Sequence, residues 1–275
     1  MKKSILPIIL FLLCWQFLSA QKSSVFPFSD DWQLIWHDEF SGNELDRGKW
    51  STGWEWNIKT SNYPLNTTEI NGKPLIEVSN GTLKQYARNI ASDNRPHTSS
   101  LVKTRRSGND PPLFIFHHGY VEVKVRRQAE GNGFHFNVFT FGYDKNENNG
   151  GQSFPPEIDI TESISNYNPM RLLQVTHFGP SPDAQEINKY QNHNFDWSQW
   201  HVYGAHWKAD NTVSFYIDGK KTYTTTDKLT PDMPYFIHMR IGVGGWGEPP
   251  DENTVFPAIQ EVDWIRVYQK PQSNP

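Results

Sequence analysis

The chain has 275 residues, with 26 Lys and Arg against 30 Asp and Glu, and a formal net charge of −4. A mildly acidic chain without a basic run is a poor partner for nucleic acid, so we exclude that function class. Aromatic residues make up 14% of the chain, enough large apolar surface to bury a core. The 19 Gly and 19 Pro indicate many turns, and with the aromatic content they favour an all-β protein.

The first 20 residues have the features of a secretory signal peptide. Lys2 and Lys3 precede an apolar run over residues 5–15, and the small residue Ala20 ends the segment. The run is too short to cross a bilayer as a helix, so we expect no membrane span. The mature protein is therefore predicted to be secreted or periplasmic.

The single cysteine, Cys14, lies inside this signal peptide. The mature chain should therefore contain no disulfide, no thiolate metal site and no cysteine nucleophile. Lipid attachment at Cys14 is the alternative to release. We favour release, because Leu12 and Leu13 occupy the positions where a lipoprotein signal usually carries small residues.

Alternating apolar and polar residues predict a succession of β-strands. Residues 119–127 place three valines on one face and charged side chains on the other. Residues 212–217 and 221–226 flank the pair Asp218-Gly219, which suits the type I′ turn of a hairpin. Further strands are predicted at residues 33–37, 75–78, 82–87, 99–104, 133–141, 157–161, 172–178, 200–207, 235–243 and 261–268.

The chain shows no internal repeat and no change of composition that would mark a linker. Residues 143–153 and 179–194 are polar and are predicted to be loops. About a dozen antiparallel strands in one domain must close into a barrel or stack as two sheets. The predicted organisation is a signal peptide at 1–20, an N-terminal segment at 21–29, one domain at 30–270 and a tail at 271–275.

Three acidic residues, Glu157, Asp159 and Glu162, fall in one predicted strand. Glu157 and Asp159 point to the same side of an extended strand, and one bulged residue would return Glu162 to that side. Like charges brought together raise at least one pKa, so the arrangement needs a reason. Retaining glycosidases offer one, because they pair an ionised nucleophile with a protonated acid about 5–5.5 Å away. Taken alone, this short pattern also fits a solvated acidic strand or a cation site.

The residues around the acidic segment extend the pattern. Four stretches occur in order: residues 36–50 with Trp-His-Asp-Glu-Phe, 157–162, 201–219, and 243–268 with Gly-Gly-Trp and Asp-Trp-Ile-Arg-Val-Tyr. Together they resemble glycoside hydrolase family 16, endo-acting enzymes that cut β-linked glucans or galactans with retention. The resemblance covers nearly all of residues 30–270.

The resemblance implies an all-β jelly-roll sandwich of two curved antiparallel sheets, with a polysaccharide cleft on the concave sheet. By position, Glu157 is the nucleophile, Glu162 is the general acid and later the general base, and Asp159 assists. No cofactor is implied for catalysis. The expected partner is a polysaccharide, and we expect a monomer.

Sugar contacts are predicted along the cleft. His177 corresponds to a family histidine that faces the cleft. Trp246 lies between glycines, which let a loop approach a ligand closely, and its ring can stack on a sugar. Trp54 and Trp56 lie on one side of a predicted strand and are candidate cleft walls.

The strand before the acidic segment departs from many β-glucanases of the family. In place of a Trp-Pro-Ala-Phe-Trp-like strand, this chain has His135, Asn137 and Phe139 on one face, and we predict that they contact substrate. Such a wall favours a substituted or differently branched chain. The Gly-Gly-Trp loop and the Pro-Pro pair before Glu157 still favour a β-1,3- or mixed-linkage β-glucan. Agar, porphyran and carrageenan are the galactan alternatives.

Two further hypotheses about function stay open. A sulfated galactan would need basic groups near the cleft, and a carbohydrate-binding jelly roll without catalysis would have no need for three acids on one strand. The basic residues that could supply a sulfate pocket are Lys103, Arg105, Arg106, Arg126 and Arg127.

A structural calcium ion is common in the family and is held by an aspartate on the last strand and by backbone carbonyls. Asp263 and Gly81 match those positions, and Glu39 is a third candidate ligand. Hard oxygen ligands suit calcium. The alternative is that Asp263 pairs with a neighbouring side chain.

Overall fold

The computed structural model describes residues 26–29, 31–53, 67–92, 95–106, 110–146, 152–165, 171–180, 186–192 and 195–271. No helix in these ranges is long and apolar enough to cross a membrane. The strands are β1 Gln33–Asp38, β2 Ser51–Thr52, β3 Glu69–Ile70, β4 Lys73–Pro74, β5 Ile76–Ser79, β6 Thr82–Ala87, β7 Ser100–Lys103, β8 Gly119–Glu130, β9 Phe134–Tyr143, β10 Gln152–Ile164, β11 Arg171–Phe178, β12 Glu186–Asn192, β13 His201–Trp207, β14 Val213–Ile217, β15 Lys220–Thr224, β16 Tyr235–Val243 and β17 Val255–Gln269.

Two antiparallel sheets contain all but two of these strands. The outer sheet has the order β15-β14-β13-β8-β17-β6-β5, and β1 also pairs with β17. The second sheet, here called the site sheet, has the order β12-β11-β10-β9-β16-β7-β2. Strands β3 and β4 form a separate hairpin. The predicted all-β class with two antiparallel sheets is confirmed.

Alternating side chains of the two sheets build a shared core. Ile158 and Ile160 of β10 are buried in the same apolar cluster as Val123 of β8. Successive residues of a strand point to opposite faces, so Glu157 and Asp159 project from the other side of the site sheet. We call this side, turned away from the core, the open face.

Local turn chemistry explains the β14–β15 hairpin. Asp218 and Gly219 both have positive φ, 49° and 74°, as the predicted type I′ turn requires. The loop prediction over residues 179–194 is wrong in part, because it contains β12. In the sheet order β12 is an edge strand next to β11 alone, where exposed polar residues such as Lys189 are common.

Candidate active site

A β-bulge organises the acidic segment of β10. The register shifts between Asp159 and Thr161 relative to β9, and between Asp159 and Glu162 relative to β11. Beyond the shift, Glu162 lies opposite Asn137 of β9. Directly opposed residues share a face, so the bulge brings Glu162 to the open face beside Glu157 and Asp159.

Side chains of β8 and β11 donate hydrogen bonds to the bulge from the core side of the site sheet. The Nε2 of Gln174 donates to the Ile160 carbonyl at 3.0 Å, and a guanidinium nitrogen of Arg127 donates to the Thr161 carbonyl at 3.2 Å. Arg127 also donates to the hydroxyls of Thr161 and Ser163 at 3.0 and 2.9 Å. Burial lowers the pKa of Arg127 to about 10. These contacts supply partners for carbonyls at a point where the strand ladder is disrupted.

The side chains of Glu157 and Asp159 form a buried, hydrogen-bonded carboxyl pair, 8% and 1% exposed. Burial and then the negative charge of Asp159 raise the pKa of Glu157 well above its ordinary value. Burial acts to raise the pKa of Asp159 too, but hydrogen bonds, led by that from His177, hold it below the usual value. The directions of the two shifts favour the proton on Glu157 and the negative charge on Asp159.

Two neighbouring strands fix Asp159. Asn137 of β9 donates from Nδ2 to Oδ1 of Asp159 at 2.6 Å. On β11, Nε2 of His177 lies 3.4 Å from Oδ2. His177 is also the residue directly opposite Glu157. Both oxygens of the central carboxylate are thus held in place.

Glu162 has a separate partner. Its Oε1 lies 2.6 Å from Nε2 of His135, and both side chains are largely buried. His135 and Asn137, predicted to contact substrate, therefore touch the carboxylates themselves. Phe139 is 2% exposed and packs with Phe141 in a cluster on this face. Direct sugar contact by these residues stays a prediction. The sequence predicted that the strand of His135, Asn137 and Phe139 precedes the acidic strand. It did not predict the hydrogen bonds between the two strands.

Basic side chains occupy the other half of the open face. In the strand registers, Lys103 of β7 lies opposite His238 of β16, and Arg240 lies opposite Asn137. Burial lowers the pKa of Lys103 to about 7. Burial also lowers the pKa of Arg105 to about 10. Arg240 is half-buried, and its charge acts to lower the pKa of Glu157.

Two arginines considered for a sulfate pocket lie elsewhere. Arg126 projects from the outer sheet and pairs with Glu261 at 2.7 Å. Arg127 is buried between the sheets beneath the bulge. Neither can therefore contribute to a pocket on the open face. Arg106 is exposed and donates to the carbonyl of Pro111 at 3.4 Å.

Trp246 is 72% exposed on a 3-10 turn, Gly245–Gly247, that follows β16. Backbone bonds from Gly244 N to Gly133 O and from Gly133 N to Gly247 O, both 2.9 Å, tie the turn to the start of β9. A Cβ at Gly247 would lie 2.8 Å from the Phe134 backbone, so only glycine fits. The exposed ring therefore lies near the end of the site sheet that carries His135. Trp54 and Trp56 lie outside the described residues.

The predicted calcium ligands are engaged in other contacts. Asp263 pairs with Lys124 at 2.9 Å, and Glu39 accepts from two nitrogens of Arg266 at 2.8 and 2.9 Å. Gly81 lies in the turn between β5 and β6 with φ 74°. The carboxylates of Asp263 and Glu39 are thus already paired with basic side chains. The calcium site stays a prediction without support from these contacts.

Within the described ranges, two groups of His and acidic side chains are close enough to share a metal ion. One is Glu157, Asp159 and His177, where the hydrogen-bonded carboxyl pair already accounts for the proximity. The other is His117, His118 and Asp232, which belongs to a different part of the molecule.

The chain is similar to known proteins over most of its length. Curated relatives include a glucan endo-1,3-β-glucosidase A1 of Niallia circulans, 27% identical over 86% of this chain and 38% of its own length. Another is a β-porphyranase B of Zobellia galactanivorans, 22% identical over 87% of this chain and 85% of its own. The catalytic domain of an endo-1,3-β-glucanase (laminarinase) of Thermotoga petrophila superposes with a TM-score of 0.69. It is 25% identical and covers 88% of this chain and 99% of that domain.

The present chain thus spans well under half the length of the Niallia relative. The laminarinase neighbours have the jelly-roll fold, which confirms the expected architecture. A family model described as the GH16 domain of β-porphyranases A–D matches residues 32–270. The chain accordingly belongs to glycoside hydrolase family 16.

Proposed function

We propose that this protein is a retaining endo-glycoside hydrolase that cleaves internal β-linkages of a polysaccharide. The observation that carries the proposal is the bulged strand, which brings Glu157, Asp159 and Glu162 to one open face. The three carboxyls have different partners there: Glu157 bonds Asp159, and Glu162 bonds His135. Different environments for neighbouring acids are what a nucleophile and an acid catalyst need.

Glycosylation comes first in the proposed sequence. Glu162 donates a proton to the leaving glycosidic oxygen while a carboxylate oxygen of Glu157 attacks the anomeric carbon. Attack requires Glu157 to be ionised, so the shared proton must then be held by Asp159. Because the two carboxyls are hydrogen-bonded, this transfer covers a single hydrogen bond. His177 and Asn137 keep Asp159 in position throughout.

Deglycosylation reverses the roles. Glu162, now ionised, takes a proton from a water molecule, which attacks the anomeric carbon and releases Glu157. Two inversions at the same carbon give net retention. His135 contacts Glu162 in both half-reactions and limits the directions that its carboxyl can face.

Two substrate classes have distinct support. A β-1,3- or mixed-linkage β-glucan is supported by the Niallia and Thermotoga relatives, whose names state β-1,3-glucanase activity. A sulfated galactan is the second candidate, because the matched family model describes β-porphyranases and basic residues of β7 and β16 lie on the open face. Of these, half-buried Arg240 is the one placed beside Glu157.

The test is release of new reducing ends from laminarin, lichenan, agarose, porphyran and carrageenan, with Glu157→Ser as control. We expect release from one class only, none with the variant, and a β-anomer as the first product by NMR. An α-anomer from a β-linked chain would contradict retention. Binding of a polysaccharide without cleavage by the unmodified protein would favour the non-catalytic carbohydrate-binding alternative.

We further propose export of the protein with loss of residues 1–20, and a monomeric mature state. The Lys-Lys start and the apolar run support export. N-terminal sequencing of the exported protein should begin at Gln21, and light scattering should give the mass of one chain.

A further inference from the structure

A second group of ligating side chains lies outside the carboxylate site. Nε2 of His117 is 2.7 Å from Oδ1 of Asp232, and Nε2 of His118 is 3.9 Å from the same oxygen. One ligating atom from each of the three residues lies within 4.8 Å of the other two. The histidines immediately precede β8 of the outer sheet, and Asp232 shortly precedes β16 of the site sheet.

The backbone explains why two consecutive histidines face the same carboxylate, that of Asp232. His118 has φ 57°, a conformation that is costly for a residue other than glycine, and its ring lies 4.1 Å from that of His117. Gly119 follows with φ 126°, and a Cβ there would lie 2.5 Å from the Tyr268 carbonyl. The Nε2 of Gln269 donates to the carbonyls of both histidines at 2.8 and 3.0 Å. The turn is thus held in the conformation that pairs the rings.

The distances suit a tetrahedral ion. Metal–ligand bonds of 2.0–2.2 Å place two ligand atoms of a tetrahedral zinc site about 3.3 Å apart. The distances from Asp232 to His117 and to His118, 2.7 and 3.9 Å, lie on either side of that value. All three side chains are partly exposed, so small rotations can equalise the distances and water can reach a fourth position.

We propose that His117, His118 and Asp232 form a binding site for one divalent transition-metal ion of the Zn²⁺ type. Nε2 of each imidazole and one carboxylate oxygen of Asp232 are the protein ligands. Imidazole favours zinc, copper or nickel over calcium and magnesium. The ion would join the connection before β8 to the connection before β16, and so clamp the outer sheet to the site sheet.

Two existing hydrogen bonds must be exchanged, one between Nε2 of His117 and Oδ1 of Asp232 and one made by His118. Nε2 of His118 lies 2.9 Å from Oδ1 of Asn211, and metal binding requires this nitrogen to be unprotonated. The same Asn211 oxygen accepts from Nε1 of Trp207 at 3.0 Å. It keeps that bond when His118 turns to the ion, so no buried oxygen loses its only partner.

The test measures thermal unfolding of the protein, without a histidine tag, in ZnCl₂ and in MgCl₂. At zinc concentrations about 100-fold above Kd, an increase in Tm of roughly 5 °C is expected, with none in magnesium. Calorimetry should give one zinc ion per chain. Absence of any zinc-induced shift would overturn the proposal.

Variants locate the ion. His117→Gln and Asp232→Asn should each abolish the zinc-induced shift relative to their own Tm without zinc. Asp218→Asn is the matched control, since Asp218 forms a 2.7 Å pair with His201 but belongs to no group of three ligating side chains among the described residues. Glu157→Gln removes a ligand from the other cluster. Both controls should keep the shift; its persistence in His117→Gln and Asp232→Asn, or its loss in Glu157→Gln, contradicts the site.

Discussion

The outer sheet and the open face of the site sheet differ in how their charged side chains are arranged. On the outer sheet, opposite charges meet in pairs: Arg126 with Glu261 at 2.7 Å, and Arg266 with Glu39 at 2.8 Å. Each pair brings opposite charges within ion-pair distance. Its contribution to stability is modest where the side chains are exposed.

On the open face, Glu157 is buried against another carboxyl, and burial raises its pKa well above the ordinary value. The two buried carboxyls are more stable with one shared proton than with two negative charges. They also make the fold less stable than two uncharged side chains would. Groups with perturbed pKa values cluster at functional sites, so the contrast with the outer sheet supports the active site proposed on the site sheet. Four substitutions test this contrast.

The largest expected effect is loss of turnover in Glu157→Ser. Without a nucleophile the covalent step cannot occur, so activity should fall by about 10⁴-fold or more at nearly unchanged Tm. Assays of reducing ends and circular dichroism melting measure the two quantities. Glu261→Gln, a glutamate removed from the outer sheet, should keep full activity. Substantial activity in a folded Glu157→Ser protein would disprove the assignment.

Next is Arg127→Met, which removes the support under the bulge. The Thr161 carbonyl and the hydroxyl of Ser163 would lose buried partners, so we expect the free energy of unfolding to fall by about 2–4 kcal/mol. Urea unfolding measures the loss. The adjacent Arg126→Met is the control, since the Arg126 side chain is partly exposed and, among the described residues, contacts side chains of the outer sheet and Trp200 rather than the bulge; a smaller loss is expected. Equal losses for the two variants would mean that Arg127 does not support the bulge.

His135→Gln should have a kinetic effect of intermediate size. A hydrogen bond to a charged group is worth about 1.5–3 kcal/mol, so kcat should fall roughly 10- to 100-fold if His135 positions Glu162. KM should change little. If His135 instead contacts the sugar in the ground state, KM rises while kcat is kept. The ratio of the two changes therefore separates the positioning role from the predicted substrate contact.

The smallest expected effect is a gain of stability in Glu157→Gln that depends on pH. Because the pKa of Glu157 is raised on folding, its contribution to stability is complete below the unfolded pKa, about 4.3, and is lost as pH rises through the folded pKa. Glutamine does not ionise, so the variant should gain on the unmodified protein as pH rises. We expect about 2–4 °C in Tm at pH 8 and less at pH 5. A difference independent of pH would argue against the raised pKa.

Local sequence patterns predicted the parts that depend on neighbours along the chain. Alternation predicted most strands, Asp218-Gly219 predicted the hairpin, and the spacing of Glu157, Asp159 and Glu162 predicted the bulge. The edge strand β12 was missed, because its polar composition resembles that of a loop. Edge strands often carry charged side chains, and these interrupt the alternation of apolar and polar residues.

The partners of the carboxylates could not be predicted in this way. Arg127 comes from the outer sheet and Gln174 from the next strand of the site sheet, and nothing near either residue marks it as a support for the bulge. The amino-acid sequence was enough to predict the family, most of the strands and the three acids that share one strand. The contacts of His135 with Glu162, and of His177 and Asn137 with Asp159, are evident only in the folded chain. Hydrogen bonds across strands depend on sheet order and register, which side-chain packing of the whole fold fixes.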